Sequence, residues 1–377
     1  LFYAGILGCV AQVRNWRSGL IILWLVVGLS PGMVSPPAAS FTHTLAAQPA
    51  VYALLGLGVD RTWQWLSHRH AWPGPAMASV LLTLNLVLAC RAYFFVWPAA
   101  SEVRQLYQGG VTAVARELDA TEPPGPVAVG APYVGYWHPW NAVGFDLALH
   151  REDLSVRWFD PASAWIWPSS AYPTTFYFPV DPLGSQEFDA TLKAAFIADA
   201  VRLSPSSDDF TAYQVGDPAA FERALRAASS ITVAWPPEES DAPEPSLPLA
   251  FDGRFELLGA KLRDRSVGAD EGVGLTTYWR VTSADSAPVV PFVHITSDGQ
   301  DIWGQYDGLG VRPSSLEVGD RFVQLHHIPV APDTPGGTYY LQLGMYNPDG
   351  LERLGVKTGG DKTVDRVWVG SVQIRTP

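Results

Sequence analysis

Four side chains suited to acid–base or metal chemistry fall in one stretch of the chain: His138, Asp146, His150 and Asp160. Asp146 and His150 are i,i+4 on a segment with helical patterning, so they face one way. Nothing nearby supplies a third ligand at metal-binding spacing, and an exposed helix pair accounts for them equally well. His326 and His327 are adjacent in an alternating run, so they point to opposite faces and cannot easily hold one ion. Asp298, Asp301 and Asp307 surround a hairpin and could attract Ca²⁺, although Asp298-Gly299 is also a plain turn signal. No Ser-His-Asp order, nucleophile elbow or Cys/His zinc spacing occurs. Val129-Gly130-Ala131-Pro132 lacks the spaced glycines that let a backbone approach a pyrophosphate. The sequence therefore implies no metal and no cofactor.

The other chemistry-bearing feature is aromatic. Tyr133, Tyr136, Trp137, Trp140, Trp158, Trp165, Trp167, Tyr172, Phe176 and Tyr177 lie within 45 residues of one another. Aromatic faces fill cores, rest at membrane interfaces and stack on sugar rings. Tyr136, Trp137 and Trp140 are the candidates for glycan contact.

The elements that must position these residues follow from periodicity. Residues 101–118 carry apolar side chains near a helical period, weakened at Gly109-Gly110 and stopped at Pro123-Pro124-Gly125. From Pro126 onward, strand patterns (126–131, 154–160, 174–180, 210–215) alternate with helical ones (139–149, 187–199, 218–228), which predicts an α/β domain over 126–235. Residues 236–248 are Pro-rich and acidic and read as an extended linker. Beyond it the period becomes two. Seven runs, FELLGAKL, GLTTYWRVTS, VVPFVHITS, DIWGQY, RFVQLHHIPV, TYYLQLGMY and VWVGSVQIR, predict an antiparallel immunoglobulin-like β-sandwich over 249–377.

Residues 1–98 differ in kind. The run 74–97 is apolar apart from Arg91 near its end, and Tyr93, Phe94, Phe95 and Trp97 form an aromatic belt there. Further apolar runs lie at 1–13, 19–34 and 45–59, with breaks at Pro31 and through the loop 30–44. These predict the C-terminal part of a transmembrane helical bundle: one clipped crossing, three complete ones and a connecting helix over 99–125. The chain opens inside an apolar run, without a basic n-region, and so reads as the continuation of a longer protein. Arg14, Arg17, Arg61 and Arg69 mark the cytoplasmic side, which places the 30–44 loop and everything after Trp97 outside the inner or plasma membrane. Only Asp60 is acidic before residue 98, so of the 25 basic and 37 acidic residues, 20 and 36 lie beyond it. That acidic outer part argues against nucleic acid as a partner. Cys9 and Cys90 both sit in apolar runs and read as packing residues.

Ser30-Pro31, Ser35-Pro36, Phe41, Pro49, Tyr52 and Leu55 to Leu57 resemble a loop pattern of the integral-membrane glycosyltransferases that use polyprenyl-phosphate sugars, the relatives of protein O-mannosyltransferases and aminoarabinose transferases. RAYFFVWPAASEVRQLYQ (91–108), VRWFDP (156–161) and the terminal β region are similar to the segments C-terminal to that loop in such proteins. The resemblance implies a sugar moved from a polyprenyl-phosphate donor to a glycan, lipid or protein acceptor on the outer face. It implies a catalytic carboxylate in a first outer loop, upstream of Leu1, so no residue present inherits that role. It also implies a cation meeting the donor phosphate. Where an Arg is expected this chain has His43, which meets phosphate only as a cation or a neutral N–H donor. The alternative is a non-catalytic membrane-anchored surface protein whose β-sandwich binds a ligand such as a glycan.

Overall fold

A computed structural model describes residues 1–34, 42–67, 74–132, 134–170, 173–179, 190–204, 207–216, 223, 233–236, 244–268, 271–299, 301–358 and 363–375. The chain divides into two compact units, Leu1–Ala99 and Ala100–Pro377. Several sequence expectations lie outside the described residues: residues 35–41 of the 30–44 loop, the 218–228 helix apart from Arg223, much of the linker, Arg69, Tyr133 and Tyr172.

The first unit is helical: α1 (Phe2–Ala11), α2 (Trp16–Val34), α3 (Gln48–Ser67) and α4 (Gly74–Arg91). The anticipated break at Pro31 does not occur, and α2 runs on to Val34. Pro31 has no N–H for the Val27 carbonyl, and the Ser30 hydroxyl donates to that carbonyl instead, at 2.8 Å. Close backbone approach holds α1 against α3. A Cβ on Gly58 would fall on the Leu1 carbonyl, and one on Gly5 on the Leu54 carbonyl. Gly28 of α2 likewise admits the short 3₁₀ turn Thr42–Ala47, and Trp24 Nε1 donates to the Ala46 carbonyl at 2.9 Å. α4 continues through a π turn (Ala92–Val96) into α5 (Trp97–Ala99). Pro98 has no N–H to offer, and the turn widens so that the Trp97 N–H reaches the Ala92 carbonyl.

The architecture corrects the sequence expectation. Among the described residues only Trp16–Val34 and Ser79–Ala99 are helices long and apolar enough to cross a membrane. The described residues form no large transmembrane helical bundle: α1 has 10 residues, and α3 runs on into Asp60–Ser67, which carries Asp60, Arg61 and Gln64. The bulk of the chain is instead rich in strands, in three sheets.

The second unit opens with α6 (Ser101–Leu106) and α7 (Gly109–Ala120). The single helix expected over 101–118 is broken at Gln108, whose φ is +59°. Gly110 is there for contact, since a Cβ would lie 2.7 Å from the Asp209 carbonyl oxygen. Then come β1 (Val127–Gly130), α8 (Trp140–Ala148), β2 (Val156–Phe159), β3 (Ala164–Trp167), β4 (Thr174–Phe178), α9 (Ala190–Asp199), β5 (Ala200–Arg202) and β6 (Thr211–Val215). The terminal strands are β7 (Leu249–Phe251), β8 (Phe255–Leu262), β9 (Ser266–Gly268), β10 (Val273–Val281), β11 (Val290–Thr296) and β12 (Ile302–Asp307). They continue with β13 (Arg321–Ile328), β14 (Gly337–Tyr346), β15 (Val356–Lys357), β16 (Thr363–Val364) and β17 (Val367–Arg375).

The first sheet, β2-β1-β4-β6-β5, is mixed: β1 pairs in parallel with β2 and β4, and β6 is antiparallel to its neighbours. The second is β16-β15-β7-β8-β10-β13-β3 and the third β12-β11-β14-β17-β9. The expected α/β domain and separate sandwich are therefore not independent modules. β3 leaves the α/β stretch and joins the second sheet at its edge, with Trp167 opposite Arg321 and Trp165 opposite Val323. One apolar core, holding Phe159, Trp165, Phe176, Trp279, Phe322 and Leu341, runs through all three sheets. A second lies under α7 and α8.

Candidate functional site

An exposed aromatic surface is built where β1 ends. Gly130 closes that strand because a Cβ would sit 2.5 Å from the Phe178 ring. The chain then turns through Val134, which is buried, into α8. α8 buries Asn141, Ala142 and Phe145. Phe145 packs edge-on against Trp158, with centroids 5.0 Å apart, a geometry worth about 0.5–1.5 kcal/mol beyond its burial. Asn141 Nδ2 donates to the Pro132 carbonyl at 2.5 Å, which ties the helix to the turn before it.

The opposite side of α8 is bare and apolar. Trp140, Val143 and Leu147 are exposed at i, i+3 and i+7, and Trp137 precedes them; the two indoles are 59% and 54% accessible. Tyr136 stands edge-on to Trp137, centroids 4.6 Å apart, and its hydroxyl donates to the Asp349 carboxylate. That hydrogen bond holds the phenol pKa above its ordinary value, so Tyr136 stays neutral. Asp349 is steadied by its own N–H, which donates to Asn347 Oδ1 at 2.9 Å. Arg312 Nη1 meets Asp146 Oδ2 at 3.0 Å and fixes α8 from its other side. The ledge offers two indole faces beside a phenol–carboxylate pair. It can stack on a ring and exchange hydrogen bonds with hydroxyls. It holds no carboxyl pair for acid–base work.

The structure separates the other candidates. His150 Nδ1 lies 2.8 Å from Asp119 Oδ2, Asp146 is taken by Arg312, and Asp160 Oδ1 accepts from the Ala162 N–H at 3.0 Å. The His138 ring lies 6.5 Å from that of Trp140. Among the described residues no group of three His, Cys, Asp or Glu could hold a metal. His326 is buried and its neighbour His327 exposed. Asp298 Oδ1 accepts from the Asp301 N–H at 3.1 Å within the β11–β12 hairpin, and Asp307 Oδ2 accepts from the hydroxyl of Tyr346 on β14 at 3.2 Å. Of the aromatic set, Trp158, Trp165, Trp167, Phe176 and Tyr177 are core residues, while Tyr136, Trp137 and Trp140 are not. His43 lies in the Thr42–Ala47 turn; its side chain is outside the described part.

No spacing in the sequence singles out a further charged constellation. Arg157 Nε donates to Asp320 Oδ2 at 3.0 Å, and Arg157 Nη2 lies 2.5 Å from Glu317 Oε2. Asp320 is 0% exposed and also accepts from the Ser169 and Glu317 N–H groups, each at 2.8 Å. The available signal was an arginine inside the otherwise apolar strand Val156–Phe159. No protein-family model matches the chain, and no curated protein matches it either.

Proposed function

We propose that the chain is part of a membrane glycosyltransferase that moves a sugar from a polyprenyl-phosphate donor to an acceptor on the outer face of the inner or plasma membrane. Tyr136, Trp137 and Trp140 contact the acceptor glycan, and His43 lies toward the donor phosphate. The observation that carries the reading is the ledge: two bare indoles and a phenol–carboxylate pair, displayed on a helix whose other face is packed. The apolar helices Trp16–Val34 and Ser79–Ala99 and the loop resemblance around Ser30-Pro31 and Pro49 add support for the membrane and the donor class. A carboxylate base would activate the acceptor, with the lipid phosphate as leaving group. Asp60 is the one acid among residues 1–99, and it accepts from Gln64 Nε2 at 2.9 Å.

The test is transfer from a polyprenyl-phosphate sugar by the native protein in membranes. Trp137→Ala with Trp140→Ala should raise the acceptor KM about tenfold, ~1.4 kcal/mol, with kcat little changed, because stacking is shared by ground and transition states. His43→Ala should raise the donor KM. An unchanged acceptor KM in the double variant would remove the ledge from the reaction. The lack of a free acid in the helical unit favours one second reading, a membrane-anchored glycan-binding protein. Glycan binding that depends on the two tryptophans, without any transfer, would select it.

A further inference from the structure

The turn bonded to Tyr136 carries charge that no arginine or lysine neutralises. Asp349 is exposed, and its Oδ1 accepts from the Tyr136 hydroxyl, which stays neutral. Glu352 is also exposed and folds back over the turn, where a Cβ on Gly350 would fall on its carboxylate. Backbone bonding forces the two acids together. The Leu351 N–H donates to the Asn347 carbonyl at 2.7 Å, and the Asn347 N–H to the Glu352 carbonyl at 2.9 Å. Leu351 takes a φ of +62° between them, which a bulky L residue rarely adopts. Strain of this kind persists where surrounding bonds over-determine it. A third carboxylate, Asp307, ends β12 two residues before Leu309. The ledge's own turn rests there, since a Cβ on Gly135 would lie 3.0 Å from the Leu309 carbonyl oxygen. Asp307 likewise bonds a phenol, that of Tyr346.

The nearby arginines are taken by other acids. Arg312 meets Asp146 at 3.0 Å, and Arg353 and Arg366 share Asp365 at 2.6 and 2.7 Å. Five carboxylates, Asp146, Asp307, Asp349, Glu352 and Asp365, thus stand against three guanidinium groups. Among the described residues, Asp307, Asp349 and Glu352 are in no ion pair with an arginine or lysine. Tyr136 links this surplus to the bare Trp137 indole, whose ring lies 4.6 Å away, centroid to centroid. The face of an indole is itself electron-rich and attracts cations.

We infer that the sugar met by the ledge carries a free amine, a hexosamine-type ring in its ammonium form. The inference rests on the reading of the ledge as the acceptor-glycan contact and names the class of that glycan. An ammonium on the ring gains charge-assisted hydrogen bonds to Asp349 and Glu352 and a cation–π contact with an indole. Acetylation of the amine removes both, and a uronate or phosphorylated sugar meets like charge. The apolar ring face stacks on an indole in every case.

The experiment compares three disaccharides that differ only in the group on the second carbon of each ring: cellobiose, di-N-acetylchitobiose and its deacetylated diamine. Each is titrated into the full chain in lipid nanodiscs at pH 6.5 and followed by ligand-detected NMR, with tetramethylammonium as the bare cation. The diamine should bind about five- to tenfold tighter than either neutral disaccharide. That margin should shrink between roughly 50 and 500 mM salt. Asp349→Asn with Glu352→Gln changes two exposed acids and keeps an acceptor for Tyr136, so the thermal transition should stay in place. It should bring the diamine down to the level of cellobiose, whereas Trp137→Ala with Trp140→Ala should weaken all three. Equal binding of the three, or an undiminished preference for the diamine in the acid-to-amide variant, would overturn the amine and leave the ledge as a contact for neutral glycan. Tetramethylammonium binding as tightly as the diamine would overturn the sugar. No saturable sugar binding, or binding indifferent to the tryptophan changes, would remove the ledge itself and the reading beneath the inference.

Discussion

Acid should destabilise the second unit through one histidine, starting above the range where carboxylates titrate. His326 lies on β13 opposite Leu275, its Nε2 is 2.9 Å from Thr277 Oγ1, and Thr277 Oγ1 accepts from Trp279 Nε1 at 2.7 Å. Tyr306 packs edge-on to its ring, centroids 5.5 Å apart. Burial pushes its pKa from 6.5 down to about 3, because a cationic imidazole there would be stripped of water. The folded state therefore keeps the ring neutral while the unfolded chain takes up a proton near pH 6.5. A depressed histidine pKa means stability is complete above the unfolded value and is lost as pH falls from about 6.5 toward 3. The full gap corresponds to about 5 kcal/mol, of which about 2 kcal/mol falls between pH 7 and pH 5. That is a large share of the roughly 5–15 kcal/mol that holds a domain folded. Denaturant unfolding of the full chain in detergent at the two pH values, read by tryptophan fluorescence, gives the wild-type difference. His326→Gln keeps a hydrogen-bonding group at the position and removes the titration, so the difference should shrink by about 2 kcal/mol. His294, which burial also pushes down, leaves a smaller residue of the same sign. A variant with the wild-type pH dependence would refute the claim that the ring is neutral and sealed.

The buried pair supplies a second test: Asp320→Asn removes the buried one of Arg157's two carboxylate partners, leaving the half-exposed Glu317, and should cost about 3 kcal/mol, the low end for a broken buried pair, by denaturant unfolding. In the helical unit, Gly58→Val places a side chain on the Leu1 carbonyl and should separate α1 from α3, seen as a lowered Tm in detergent, whereas Gly56→Ala meets open space and should be silent. Asp349→Asn removes the acceptor charge from Tyr136, so its phenol should ionise at lower pH than in wild type, read from phenolate absorbance.

Legibility in the sequence followed how local each signal was. The seven alternating runs from Phe255 onward fall on β8, β10, β11, β12, β13, β14 and β17, because period-two burial is written in each strand separately. Ala164–Trp167 carries no alternation, and all four of its residues are buried. Its place beside β13, some 155 residues later, is a long-range choice that local pattern does not encode. The membrane part was overcounted for a related reason. The run 45–59 is apolar enough to suggest a crossing, yet α3 begins at Gln48 and continues into Asp60–Ser67. Hydropathy reports composition and does not mark where hydrogen bonding carries a helix onward, as Thr62 Oγ1 to the Gly58 carbonyl does here at 2.7 Å. The aromatic set was visible as a set, but nothing in its spacing told Trp158 from Trp140. Burial decided between them, and burial belongs to the packed sheets.

The buried Arg157–Asp320 pair joins two of the three sheets. Arg157 belongs to β2 of the first sheet, while Asp320 leads into β13 of the second. The β2 edge is further bound by the Arg312 N–H to the Trp158 carbonyl at 3.1 Å and the Asp160 N–H to the Gly310 carbonyl at 2.7 Å. Arg312 then reaches Asp146 on α8, the helix of the ledge, while Asp320 holds the Ser169 amide just beyond β3. A short segment, Gly310 to Arg321, therefore braces both. Replacing a buried ion pair by apolar groups of similar volume is often neutral for stability. What such a replacement removes here is a set of directed bonds, Ser169 and Glu317 on one carboxylate, that fix geometry rather than add adhesion. Arg157→Met with Asp320→Leu should accordingly keep the fold yet free the Ser169 and Glu317 amides. Hydrogen exchange at those two amides should then speed up without a matching fall in unfolding free energy.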